Sequence, residues 1–170
     1  MKHFIENERA KPLSPKDVVA LSYRKGLKAV DYEDLAGKTI KEILPEAECG
    51  RLIFFNDKNR KIGHFCLLYK TPQTGIIFFD SLGLGLRNVA RVTHNKKHLQ
   101  KLLQSVDFHD NRVKYQRLED DVNTCGRWAV TRWNAAHLEP KAFEKLMHHG
   151  KMHGDDLVVL LTLERDFTKL

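Results

Sequence analysis

The chain has 170 residues, of which 42% are hydrophobic and 30% charged, an ordinary composition for a soluble globular protein of one domain, residues 1–170. No apolar run approaches the roughly 20 residues that cross a bilayer, and the N-terminal Met1-Lys2-His3-Phe4-Ile5-Glu6-Asn7-Glu8 lacks the apolar centre of a signal peptide. The expected location is intracellular, with no membrane partner. A net charge of +7 suits non-specific contact with DNA phosphates, although no zinc finger, helix-turn-helix or aromatic-interleaved basic strand provides base readout.

Ser14-Pro15-Lys16-Asp17 predicts a helix start, with Ser14 as cap, Pro15 at the first helical position and Asp17 near the positive end of the dipole. Gly26 is expected to end that helix. A helical or turn-rich piece follows over 32–44, stopped by Pro45. Three apolar runs, 51–56, 64–69 and 75–80, are joined by short polar connections and predict antiparallel, centrally placed strands. Gly83-Leu84-Gly85-Leu86 reads as a turn, since it lacks the spacing of a phosphate-binding loop. Leu99, Leu102, Leu103 and Val106 mark an amphipathic helix over 96–106. A short strand over 112–116 and the acidic loop Glu119-Asp120-Asp121 precede three helices, at 125–137, 140–149 and 155–164. The order of elements is that of an α+β domain.

Three cysteines, Cys49, Cys66 and Cys125, are widely spaced and form no CxxC pair, so no zinc site or disulfide framework is implied. Cys49 and Cys66 fall inside apolar patterns and read as core thiols. Cys125, in Asn123-Thr124-Cys125-Gly126-Arg127-Trp128, stands where a helix begins. A cysteine attacks a carbonyl as thiolate, and its ordinary pKa near 8.5 leaves only a few per cent ionised at neutral pH. A helix dipole and a neighbouring imidazole both favour the anion. His64 follows Gly63 at a strand start, and Asp80 closes the next strand. If those strands are antiparallel neighbours, both residues lie at the same end of the sheet. The candidate triad is therefore Cys125, His64 and Asp80. The Cys125 backbone N–H is available as an oxyanion donor, and either Gln116 or Asn123 can add a side-chain amide. Trp128 and Trp133 read as core packing. His148, His149 and His153 have no partner at metal-ligand spacing, and no metal is expected.

Gly63-His64-Phe65, Phe79-Asp80-Ser81-Leu82-Gly83 and Thr124-Cys125-Gly126 together resemble the adenain-like and ubiquitin-like-protease clan of cysteine proteases. The resemblance covers roughly residues 13–163 and looks closest to the maturation proteases of adenoviruses, virophages, Polinton/Maverick elements and large DNA viruses. It implies a mixed central sheet flanked by helices, with the catalytic cysteine at the start of a central helix. It also implies Cys125 as nucleophile, His64 as general base and later acid, Asp80 as the group orienting the imidazole, and Gln116 as oxyanion side chain. Phe65 stands where the clan often has Trp, and the Gln116-to-Cys125 connection is slightly longer than in many members.

The first expectation is an endopeptidase that matures capsid or virion precursors, needing no cofactor or activated by DNA or a short peptide, and located in host cytoplasm or nucleus and in the virion. A protease removing ubiquitin-like modifiers is the alternative. An acetyltransferase with a similar residue set is more distant, and a basic DNA-binding or capsid-associated module is the non-enzymatic reading.

Overall fold

The computed structural model describes residues 2–57, 62–92 and 96–167, so the basic run Lys58-Asn59-Arg60-Lys61 lies outside the described residues. The chain opens with two helices, α1 (Lys2–Ala10) and α2 (Pro15–Ala20). Helix α2 starts as its sequence dictates. The Ser14 side chain accepts from the Asp17 N–H, and the Asp17 carboxylate accepts from the Ser14 N–H at 3.0 Å, a reciprocal capping box.

Helix α2 ends at Ala20 rather than at Gly26. Gly26 instead leads into β1 (Leu27–Asp31), with φ +91°, a conformation that L side chains rarely adopt. The chain then crosses over through a 3-10 turn (Tyr32–Leu35) and α3 (Ile40–Ile43), which the Thr39/Glu42 capping box begins. Strands β2 (Cys49–Asp57), β3 (Ile62–Thr71) and β4 (Gly75–Phe79) follow as an antiparallel meander, matching the three apolar runs. A second crossover through α4 (Gly85–Val92) and α5 (His98–Leu103) leads to β5 (His109–Asp110). The last three helices are α6 (Cys125–Asn134), α7 (Pro140–His148) and α8 (Gly154–Phe167).

The result is an α+β structure with a mixed five-stranded sheet in the order β1-β2-β3-β4-β5. The β1/β2 and β4/β5 pairs are parallel and the others antiparallel. The two parallel crossovers step in the same direction along the sheet. Connections of one hand then fall on one face, and Tyr32, Leu35, Ile43, Val89, Leu99 and Leu103 do share a core with Ile53, Phe55, Cys66 and Leu68. The opposite face carries Leu52, Phe65, Leu67 and Tyr69 against α2, α6 and α7. Alternation along β3 thus divides its residues between two cores.

Two further expected features differ. The strand over 112–116 is not a strand: the only ladder there is β5, two residues long. Asn111 explains the difference. Its side chain accepts from the Val113 N–H and donates to the Asp80 and Val113 carbonyls, turning the chain out of the sheet. The Tyr115 and Gln116 N–H groups then both donate to the Ser81 carbonyl, at 2.8 and 2.9 Å. The turn at Gly83 and Gly85 is present, with φ of +66° and +68°, but a helix grows directly from it.

Helix α6 is the central helix. Every residue from Gly126 to Trp133 is buried, including Arg127 and Arg132. Arg132 donates to the Ala135 and Leu138 carbonyls at 2.7 and 2.8 Å, satisfying the helix C-terminus, and lies over the Tyr69 and Phe143 rings. Trp128 and Trp133 pack in the core, as the sequence predicts.

Candidate active site

Strand β3 pairs with β2 from Ile62 to Lys70, but with β4 only from Leu67 to Thr71. Residues 62–66 therefore have no β4 neighbour. His64 lies in this notch, and Asp80 is the first residue after β4. Its carboxylate is fully buried, and Oδ1 lies 2.9 Å from His64 Nε2. The same carboxylate accepts from the Leu82 N–H at 3.0 Å and the Leu84 N–H at 3.1 Å, so its position is held from three directions.

Cys125 opens α6 and is half-buried. His64 and the backbone N–H groups of Phe65 and Gly126 all act on the ionisation of its thiol. Burial pushes the thiol up, but the hydrogen bond and charge of His64, with those two N–H groups, outweigh it and hold the pKa below its ordinary value. On His64, burial opposes the charged form. The adjoining Cys66 sulfur and the hydrogen bonds to Asp80 and Cys125 more than compensate, leaving the imidazole well above its ordinary value. Burial and then Asp80 push Cys66 itself up to about 12.

The three residues expected to form a triad are therefore brought together, in the order acid, base, thiol. Gln116 is buried. Its Oε1 accepts from the Ser81 hydroxyl at 2.7 Å, and its Nε2 donates to the Val122 carbonyl at 3.3 Å, three residues before Cys125. An amide nitrogen carries two N–H groups, and Val122 takes one. Asn123, the other candidate, is used differently: its Nδ2 donates to the Ala10 carbonyl at 2.7 Å and its backbone N–H to the Arg9 carbonyl at 2.9 Å. It holds the end of α1 against the site. The Cys125 backbone N–H is at the first position of α6, where the helix ladder offers it no partner.

A cleft of about 240 Å³ opens onto Cys125, walled by Pro12, Leu13, Phe54, Gly63, Phe65 and Asn123. Glycines are required at two places around it. A Cβ on Gly63 would stand 2.6 Å from the Phe54 ring, and one on Gly126 would stand 2.5 Å from Val18 Cγ2.

Among the described residues, His64, Cys66 and Asp80 are the one group bringing three metal-capable atoms within 4.8 Å of one another. A cation held there would compete with the His64–Asp80 hydrogen bond. His148 and His153 are otherwise engaged, His148 with the Glu144 carbonyl and His153 with Asp155.

The chain is similar to a virophage protein. The uncharacterized protein V9 of Sputnik virophage is 29% identical over 141 residues, which cover 74% of this chain and 79% of V9. No family model and no solved structure matches the chain.

Sequence reasoning passed over two features of the site. Cys66 is two residues beyond His64 on one strand, and period-two alternation alone places it on the same face. Asp155 has no comparable signal. It lies 30 residues beyond Cys125, yet accepts from the Thr124 hydroxyl at 2.6 Å and the Trp128 indole N–H at 2.9 Å.

Proposed function

We propose that the protein is a cysteine endopeptidase that matures viral capsid or virion precursor proteins. One observation carries the reading: the Asp80 carboxylate lies 2.9 Å from His64 Nε2, and His64 in turn acts on the Cys125 thiol, with the thiol shifted down and the imidazole shifted up. An imidazolium–thiolate pair at a helix start, opening onto a cleft, is what acyl transfer through sulfur requires. The mixed sheet and the cysteine at the start of a central helix agree with the adenain-like fold that the motifs resemble. Similarity to a virophage protein supports the viral setting.

In this mechanism the Cys125 thiolate attacks the scissile carbonyl carbon, and His64 retains the proton. The tetrahedral oxyanion accepts from the Cys125 backbone N–H and the Gln116 amide. Collapse breaks the C–N bond, His64 gives its proton to the leaving amine, and a thioester remains. Water, deprotonated by His64, then hydrolyses the thioester and restores the thiolate. Asp80 holds the ring in place and stabilises its charge throughout. Cys66 takes no part in this scheme.

The test is co-expression with candidate capsid proteins encoded beside the chain's gene, followed by sequencing of new N-termini. Cleavage by the natural chain and none by a folded Cys125→Ala variant is the expected result. Processing that persists in Cys125→Ala would remove the nucleophile assignment and the function with it.

A further inference from the structure

The proposed oxyanion site has two halves on separate segments: the Gln116 amide in the irregular stretch before α6, and the backbone N–H of Cys125 on α6. Asp155, in the first turn of α8, is fully buried and has no part in the chemistry. Its two oxygens nevertheless reach the neighbours of both halves. Oδ1 accepts from Thr124 and Trp128, as described, and Oδ2 accepts from the Arg117 backbone N–H at 3.1 Å and from Arg117 Nε at 3.3 Å. Thr124 immediately precedes Cys125, and Arg117 immediately follows Gln116. Thr124 occupies the N-cap of α6, but its side chain makes no capping bond and its hydroxyl donates to Asp155 instead.

Gln116 is anchored from the other side by Ser81, the residue after the triad acid. Hydrogen bonds alternating with peptide bonds therefore form a continuous path from Asp80 through Ser81, Gln116, Arg117, Asp155 and Thr124 to Cys125. Only a carboxylate suits the Asp155 position. Four donors converge on its two oxygens, two on each, and an amide would turn an NH2 against one of these pairs. Removing a partner from a buried hydrogen-bonded group leaves the others unsatisfied, which is costly.

We propose that Asp155 is a positioning residue: it fixes the separation between the Gln116 amide and the Cys125 N–H, and thereby the strength of oxyanion stabilisation, without acting on the thiolate. The proposal rests on the protease reading of the site. It separates two reactions of the same sulfur. Acylation of Cys125 by p-nitrophenyl acetate passes through an oxyanion: the S–C bond forms, nitrophenolate leaves, and a thioester results. Alkylation by iodoacetamide displaces iodide at a saturated carbon and forms no oxyanion.

The experiment measures both rates on the full chain. Loss of one oxyanion donor costs about 10²–10³-fold, so displacing rather than deleting one should cost Asp155→Asn on the order of tenfold in acylation. Alkylation should stay within about twofold, because His64 and Asp80 are untouched. Gln116→Ala provides the benchmark and should show the same split. Thr124→Val and Arg117→Ala each cut one arm of the carboxylate's network. They should give smaller falls of the same kind, and they decide the matter if Asp155→Asn does not fold. Equal falls in acylation and alkylation, or unchanged acylation in the folded variants, would overturn the positioning role. Acylation of the natural chain that is no faster than in Cys125→Ala would instead overturn the protease reading, and this proposal with it.

Discussion

Replacing Asp80 with Asn interrogates the ion pair most directly. The Asp80 carboxylate is fully buried and lies 2.9 Å from His64 Nε2. Asn keeps the shape and one acceptor oxygen but carries no charge. A hydrogen bond to a charged group contributes about 1.5–3 kcal/mol. The imidazolium–thiolate equilibrium should therefore move toward the neutral pair by roughly 10- to 150-fold, at about 1.4 kcal/mol per decade. The sign follows from the two shifts. Cys125 is held below its ordinary value and His64 well above, and both shifts favour the ion pair. The thiolate is lost as pH falls through the Cys125 value, and the imidazolium is lost as pH rises through the His64 value. In Asp80→Asn the alkaline limb moves down, because the imidazolium loses its counter-charge, while the acid limb, along which His64 is already protonated, does not move up. The assay is the pH titration of the His64 imidazole followed by NMR. Its midpoint should fall by roughly one to two pH units, the factor above on a logarithmic scale. Thermal melting in the same buffers identifies unfolding. A His64 midpoint that coincides with that of the natural chain in a folded variant would refute the argument that Asp80 keeps His64 charged.

Gly126→Ala should disturb the nucleophile through packing alone. The new methyl would stand 2.5 Å from Val18 Cγ2 and 3.2 Å from the Phe65 ring, and such overpacking costs roughly 1–3 kcal/mol. A lower melting temperature and slower alkylation are expected, and Val18→Ala in the same chain should restore both; absence of rescue would show that α2 does not press on the helix start. Any DNA assistance through the +7 net charge should appear as proteolysis stimulated by unrelated DNA sequences and falling steeply with added salt. Rates indifferent to both DNA and salt would end that idea.

The parts of the molecule legible in the sequence are those whose cause is local. Strands β2 to β4 are apolar runs bounded by turn residues, and α6 announces itself by a helical pattern starting at Cys125. His64, Asp80 and Cys125 stand where those patterns begin or end, which is why their convergence could be anticipated. What escaped depends on partners remote in sequence. Strand β1 buries only Leu27 fully and exists through its parallel pairing with β2. Strand β5 pairs just Ile77 with His109 and Phe78 with Asp110. Helix α1 buries Ile5 and is otherwise held by charges: Arg9 pairs with Asp121 and Asp156, and Glu8 with the buried Arg127. The reach of Asp155 belongs to the same class, since a helix-start aspartate usually serves its own helix.

The notch that holds the site has a specific origin. Strand β3 outruns β4 because β4 stops at Phe79, and β4 stops because the Asp80 carboxylate binds the N–H groups of Leu82 and Leu84 and folds the chain into the turn that ends at Gly83 and Gly85. The group that terminates the strand is therefore the group that meets His64 in the space the missing strand leaves. Strand length and triad geometry are set by one side chain rather than tuned separately. Removing that side chain altogether would release the turn, lengthen or loosen β4 and shift the base at the same time, so an Asp80→Ala variant would mix fold and chemistry. Asn keeps one acceptor oxygen, enough for part of the turn, while withdrawing the charge, and so separates the two roles better than Ala does.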